Sequence, residues 1–452
     1  MPAFTLEPMT APTTPLSAPT VWMTTLGCSK NQVDSDKISS VLGASGYVDA
    51  LSPESADVVM VNTCGFIEDA RRESVDTILE LAAAKRDDAK LVVVGCMAQR
   101  YESELIAALP EADAVIGLER YGELVGELDT MTGWQPIQIG GVKRANMDIL
   151  EVVNRPTPST PYAYVKVAEG CNKTCSFCAI PLIRGKQRSR AGAGIIAEVE
   201  GLVASGVQEI VLVAQDLAAY GRDNGAGSIE ALVQDAADVS GLKRLRLYYL
   251  YTREIRQGLI DVMTGHPTIA NYFDLSLQHA SPTLLRAMRR PGSGDKHLDL
   301  IGRIRSQAPN AAMRSSFIVG FPGETEDDFA QLVAFLEEAR LDWAGFFPYS
   351  AEEGTTAIDL PDHLPHDLIA ERLRHVQQIQ DDITSAANSS VVGSTFEVLI
   401  DQVEDGQAVG RSYREAPEID GMILLDSGTP GEWVTATITG AYGSDLSAEV
   451  VG

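Results

Sequence analysis

The sequence predicts an α/β protein in three parts: an N-terminal parallel βα sheet domain, a central partial barrel of six βα units, and a small antiparallel β-barrel at the C-terminus. Three observations carry this. Apolar strand candidates alternate with helical periodicity from residue 21 to about residue 128, the pattern of a parallel sheet covered on both faces. A second, longer βα series runs from residue 162 to residue 348, short of the ~250 residues a closed eight-unit barrel usually takes. Beyond residue 388 the texture changes to short strands and polar turns, the pattern of a small closed barrel.

The elements follow in order. Residues 1–19, rich in Thr, Pro and Ala, read as a disordered tail. The first domain spans 20–135, with strands at 21–26, 58–61 and 91–94. Its clearest helix covers 67–84, where Ile67, Ala70, Val75, Ile78, Leu79 and Ala82 line one side. Residues 134–160 form a connector that ends in a stiff proline-rich stretch. The second domain spans 157–388, with strands at 162–167, 209–214, 244–250, 272–277, 312–319 and 343–348. Helices at 194–205 and 327–339 lie between strands, and one at 368–388 closes the domain. The third spans 391–452, with strands at 395–400, 422–425 and 433–439.

Composition narrows the function. Of 452 residues, 45% are hydrophobic and 22% charged, which excludes wholesale disorder. No stretch approaches the ~20 apolar residues of a membrane span. No Lys or Arg precedes Lys30, the wrong charge for a leader peptide, so a cytoplasmic location away from membranes is expected; a monomer is a separate expectation. The net charge is −27, which repels phosphate backbones and favours a basic protein partner. Residues 392–452 hold eleven Asp and Glu against two Arg, a local charge of −9. Those carboxylates are expected to steer docking. Arg184, Lys186, Arg188 and Arg190 form a basic cluster, either a solvated face or a contact to a macromolecular partner. His279 either lines the cavity or is structural.

Six cysteines fall into two sets of three. Cys171, Cys175 and Cys178 lie within eight residues, directly after the first strand of the second series. A loop this short can wrap three thiolates around one metal centre. Structural zinc would need a distant fourth ligand. A four-iron cluster normally takes four cysteines, so three leave one iron open to a substrate or cofactor. Cys28, Cys64 and Cys96 are far apart in sequence, yet each follows an apolar strand. In a parallel sheet the C-terminal strand ends share one edge, so these thiols can converge. Scattered core cysteines are the alternative.

The spacing Cys, three residues, Cys, two residues, Cys, with Phe177 before the last, resembles the radical S-adenosylmethionine (SAM) family. The resemblance implies that the open iron binds the amino and carboxylate groups of SAM. Gln215 and Asp216, ending the second strand, then stand where the family contacts the SAM amine. Gly320 and Gly323, after the fifth strand, allow close backbone approach to the adenosyl group or form an ordinary turn. Arg314 pairs with the SAM carboxylate or makes an internal salt bridge.

The second trio, with Gly27-Cys-Ser-Lys-Asn31, Asn62-Thr-Cys-Gly-Phe-Ile67 and Gly95-Cys96 around it, resembles the methylthiotransferase branch of that family. The likeness covers nearly the whole chain after the tail, and the C-terminal barrel looks like a TRAM module. It implies two [4Fe-4S] clusters, one for cleaving SAM and one for sulfur transfer, served by an electron donor and a sulfur donor. The implied reaction replaces C–H with C–S–CH3, the methyl group coming from a further SAM. Residues 213–216, 275–279, 286–292 and 410–421 are similar to the branch that modifies the β-carbon of an aspartate in small-subunit ribosomal protein S twelve, a basic partner. The alternative is the branch that modifies adenosine in tRNA.

Overall fold

The structure is a computed structural model that describes residues 17–134 and 148–451. Most of the expected tail and the middle of the connector lie outside the described residues. In the first domain, strands β1 (Thr20–Thr25), β2 (Val48–Asp49), β3 (Val58–Thr63), β4 (Lys90–Gly95) and β5 (Ala114–Ile116) form one parallel sheet in the order β2-β1-β3-β4-β5. The three predicted strands are its centre. β2 and β5 are too short to carry a periodicity. Alternate residues of β3 and β4 supply two separate cores, which is why their sequences are apolar throughout. Val58, Met60, Val92 and Val94 pack with Ile38 and Leu42 of helix α1 (Ser29–Ala44). Val59, Val61, Leu91 and Val93 pack with Ile78 and Leu81 of α2 (Glu68–Ala84) and Leu105 of α3 (Cys96–Ala108).

The central strands are β6 (Tyr162–Lys166), β9 (Glu209–Val213), β10 (Arg244–Leu247), β11 (Tyr272–Gln278), β12 (Ala312–Val319) and β13 (Trp343–Pro348). A short antiparallel pair, β7 (Ala168–Glu169) and β8 (Arg188–Ser189), lies between the first two. Parallel sheets β10-β9-β6 and β11-β12-β13 are joined by bridges Leu245–Ile269 and Leu250–Leu275, giving an open arc of six strands. Strand β10 stops before the predicted residue 250 because Tyr249 takes a left-handed backbone, φ +61°.

Both open edges are covered. Helix α1 packs on β6, fastened by buried ion pairs Lys166–Asp34, Arg184–Asp34 (3.1 Å) and Lys37–Glu198 (3.2 Å). The helix His366–Ser390 packs on β13, where Gln380 and Thr384 donate to the carbonyls of Leu341 and Asp342. Arg184 and Arg190 are therefore buried structural cations. Of the basic cluster, Lys186 and Arg188 are exposed.

The last domain is a closed barrel of β14 (Thr395–Glu404), β15 (Gln407–Arg411), β16 (Ile423–Leu425), β17 (Trp433–Tyr442) and β18 (Asp445–Val450), ordered β14-β15-β16-β18-β17. Its residues 411–420 plug the N-terminal end of the central arc. Tyr164 and Tyr248 donate to the Pro417 carbonyl, Tyr272 to Asp420, and Trp343 Nε1 to the Arg414 carbonyl at 2.8 Å. Arg411 pairs with buried Glu209 at 3.0 Å. Glu415 accepts from Ser412. Glu415 and Asp420 thus serve this joint, which corrects the expectation that the barrel's carboxylates as a group steer docking.

Candidate active site

The N-terminal trio is set by strand register. Thr25 pairs with Asn62, and Asn62 with Val94, so two residues further on Gly27, Cys64 and Cys96 stand side by side at the C-terminal edge. Cys28 follows as the N-cap of α1, and Cys96 opens α3. Gly27 has φ +92°, and a Cβ there would stand 2.8 Å from the Cys64 Cβ, so only glycine lets the two strand ends approach. Asn31 ties the edge together. Its amide donates to the carbonyls of Leu26 (2.8 Å) and Thr63 (3.1 Å), and its Oδ1 lies 3.6 Å from Cys96 Sγ.

Charge distinguishes these thiols. Burial works to raise the Cys28 pKa. Lys30, Arg184 and the backbone N–H groups of Asn31 and Lys30 outweigh it and lower the value below that of an ordinary thiol. Burial raises Cys64 and pushes Cys96 up to about 12.

The barrel trio lies in the loop after β7. The Lys173 N–H points at Cys171 Sγ (3.4 Å), and Arg290 Nη1 lies 3.7 Å from Cys175 Sγ. Burial raises Cys171 and pushes Cys178 up to about 12. The two trios are neighbours. Ala179, beside Cys178, and Ile183 share an apolar cluster with Cys96. Arg184, next in that segment, donates to Asn31 (2.6 Å), Asp34 (3.1 Å) and Glu169 (2.9 Å).

The other predicted residues divide. Gln215 donates to Glu169 at 2.8 Å and its carbonyl has no partner. Asp216 is buried, accepts no hydrogen bond, and has Lys173 Nζ 3.3 Å away. Burial raises its pKa against the pull of Lys173. Gln215 therefore offers an unmatched acceptor, and Asp216 a carboxylate facing only Lys173, both beside the Cys171 loop. Gly320 has φ +80°, and a Cβ there would meet Ile369 at 2.5 Å. Packing against the long helix thus suffices to require glycine. Gly323 (φ +82°) has open space around it. Arg314 makes the internal salt bridges left as its alternative, to Asp274 (3.2 Å) and Asp420 (3.3 Å), on the plugged side of the barrel. His279 is wholly buried, its Nδ1 accepting from the Ser281 N–H, so it is structural.

Sequence reasoning missed Arg290 and Lys30. Each is a buried cation without a carboxylate within 4 Å among the described residues. Arg290 lies 4.0 Å from the centre of the Tyr251 ring, and Lys30 Nζ 3.5 Å from that of Tyr249. Neither stood out because a lone Lys or Arg in a motif looks like any surface cation until its partners are known.

All six thiols are free. Among the described residues no three His, Cys, Asp or Glu are close enough to hold a single metal ion. A four-iron cube spreads its ligands over separate corners, so each trio needs to surround a volume, not a point. Three thiolates per site, an N–H aimed at one sulfur and cations facing the others suit an anionic iron–sulfur cube.

Comparison with known proteins agrees. The family profile "Uncharacterized protein family UPF0004" matches residues 20–117, "Radical SAM superfamily" residues 165–336 and "TRAM domain" residues 392–451. "Ribosomal protein uS12 methylthiotransferase RimO" of Streptomyces griseus subsp. griseus is 42% identical, covering 95% of this chain and 97% of that protein. The protein of the same name in Moorella thermoacetica is 42% identical, covering 92% and 96%. Among solved structures, the radical SAM methyltransferase TsrM from Kitasatospora setae shares the fold at TM-score 0.50 and 15% identity, covering 73% of each chain. The cobalamin-dependent radical SAM enzyme OxsB does so at 0.50 and 13%, covering 80% of this chain and 56% of that one.

Proposed function

The chain belongs to the family of ribosomal protein uS12 methylthiotransferases, and from that premise we propose that it replaces a C–H bond on the β-carbon of a uS12 aspartate with C–S–CH3. Its cofactors are two [4Fe-4S] clusters and SAM. The observation that carries the reading is the pair of neighbouring cysteine trios at the C-terminal strand edges of two parallel sheets. When bound, the barrel cluster supplies the electron that cleaves SAM, and the N-terminal cluster presents the sulfur.

We assign Cys171, Cys175 and Cys178 to the first cluster and Cys28, Cys64 and Cys96 to the second. Gln215 and Asp216 take the SAM amine through the free Gln215 carbonyl and the Asp216 carboxylate. Arg290, beside Cys175 and without a carboxylate, takes the SAM carboxylate in place of Arg314. Gly320 and Gly323 shape the turn beside the adenosyl group. The working units are residues 20–135, 157–388 and 391–452. An electron donor and a sulfur donor complete the reaction, and the enzyme acts as a cytoplasmic monomer. No helix among the described residues is long and apolar enough to cross a membrane. The tRNA branch is disfavoured by the names of the full-length relatives.

The test is the intact mass of uS12 from cells with and without the gene, alongside tRNA nucleosides. A methylthio group on an aspartate of uS12 that disappears with the gene is expected. A change in tRNA with uS12 unaltered would overturn the reading.

A further inference from the structure

We propose that Lys30, held by Tyr249, is the subsite that grips the carboxylate of the substrate aspartate. The inference rests on the uS12 reading above and adds the residue that chooses an aspartate.

Three observations meet at this point. First, Lys30 is 8% exposed, and no carboxylate stands within 4 Å of it among the described residues. The other cations facing the first domain are matched: Lys166 and Arg184 by Asp34 and Glu169, Lys37 by Glu198. The anionic neighbour of Lys30 is Cys28, which leaves a buried ammonium with no carboxylate of its own, an arrangement that is costly unless a further anion is taken up beside it.

Second, its support is strained. Tyr249 holds φ +61° at the C-terminal end of a barrel strand, where an aromatic residue seldom adopts that conformation. Asp274 accepts its N–H at 2.9 Å, and its carbonyl accepts the Leu217 N–H. The strand end is thereby fixed with the ring turned towards α1, and Lys30 Nζ lies 3.5 Å from the ring centre.

Third, the position adjoins elements that carry both trios. Lys30 lies two residues after Cys28. Leu217, bonded to Tyr249, follows Gln215 and Asp216 beside the Cys171 loop. Two residues beyond Tyr249, Tyr251 carries Arg290 beside Cys175. An aspartate whose carboxylate meets Lys30 has its β-carbon one bond from that carboxylate, next to the Cys28 end of one trio and to the strand end that leads to the other. The lysine thus acts on substrate placement and specificity.

The experiment compares wild type, K30M and K30R on purified uS12 and on uS12 in which the target aspartate is asparagine. Iron content confirms that each variant carries its clusters. Wild type should prefer the aspartate protein by at least about tenfold in kcat/KM, the difference between a charge-assisted and a neutral hydrogen bond. K30M should lose that preference, chiefly through the aspartate substrate, and K30R should restore part of it. Equal loss on both substrates would mean that Lys30 merely balances the Cys28 cluster, and the proposal falls. Should K30M lose iron, the decision passes to K30R and the wild-type preference. A wild-type enzyme indifferent to Asp against Asn refutes the subsite, as does an iron-loaded K30R that loses activity equally on both substrates, whereas an iron-loaded K30R with a reduced but remaining preference for aspartate supports it. A wild-type enzyme that leaves uS12 unmodified refutes the functional reading instead.

Discussion

Replacing Glu209 by glutamine takes one negative charge from the joint between the central arc and the C-terminal barrel. Glu209 is fully buried at the start of β9. Three guanidinium groups surround it: Arg246 at 2.8 Å, Arg411 at 3.0 Å and Arg244 at 3.6 Å. Burial alone would raise its pKa, yet Arg411, Arg246 and Arg244 hold it down to about 2. Against an ordinary Glu near 4.3 that is a drop of roughly two units, or about 3 kcal/mol of stability at neutral pH. Breaking a buried pair by removing one partner costs about 3–5 kcal/mol, which agrees. Arg244 is already pressed down to about 10, with burial the first cause and Arg246 and Arg411 adding to it, so losing Glu209 leaves it worse matched.

Glutamine keeps the shape and one acceptor, so the substitution reads the charge. Chemical unfolding of the cluster-loaded protein without oxygen, followed by tryptophan fluorescence, is the assay. Trp433 lies 4.5 Å from the Arg244 guanidinium and Trp343 donates to the Arg414 carbonyl, so both rings report on the joint. A carboxylate with a depressed pKa gives stability that is complete above its unfolded value and is lost as pH falls through the folded one. The gap between wild type and E209Q should therefore be full at pH 7 and shrink between about pH 4 and pH 2. Equal stabilities at pH 7, or a gap indifferent to acid, would refute the reasoning.

Two further outcomes follow from the site. Alanine at Cys171, Cys175 and Cys178 should abolish SAM cleavage, while alanine at Cys28, Cys64 and Cys96 should retain cleavage and stop sulfur insertion. Iron should fall in each from about eight to about four per chain, read by iron analysis and product mass. Gly95→Ala should destabilise the first domain by about 2–4 kcal/mol and lose the iron of its trio. Gly95 holds φ +99°, and a Cβ there would stand 2.5 Å from the Thr63 carbonyl. Gly126→Ala, in a helix with nothing within 4 Å, is the matched control and should be neutral or slightly stabilising.

What the sequence made legible was whatever depends on neighbours in the chain. Runs such as Val58–Thr63 and Lys90–Gly95 are strands because β-branched residues fill both faces, and the cysteine after each is then at a known edge. What stayed hidden depends on distant partners. Arg314 cannot be told from a SAM ligand until Asp420, 106 residues away, is seen beside it. Arg184 and Arg190 read as a surface cluster because their acids, Asp34 and Glu198, belong to other elements. Tyr249 gave no sign of its left-handed backbone, since tyrosine ordinarily continues a strand.

The same distinction changes the charge argument for the last domain. Its only two cations, Arg411 and Arg414, are buried in the joint, paired with Glu209, Asp401 and Asp342. The outer surface therefore carries Glu404, Asp405, Asp426, Glu432 and Glu449 with no cation among them, beside exposed Val403, Met422 and Tyr442. Since Glu415 and Asp420 are buried in the joint too, the exposed part keeps about the full −9 of the domain with no cation to offset it, a charge that suits a basic protein. It also lies at the opposite end of the strands from the thiols, because residues 411–420 plug the N-terminal end and the cysteines follow the C-terminal ends. A strand of five residues spans about 17 Å. A partner held by the acidic surface must then reach past the arc to the trios, so recruitment by charge and selection of the aspartate fall to different residues. Neutralising the outer carboxylates should accordingly weaken encounter in a salt-dependent way and leave the Asp-over-Asn preference intact, whereas Lys30 should govern that preference and not the salt dependence.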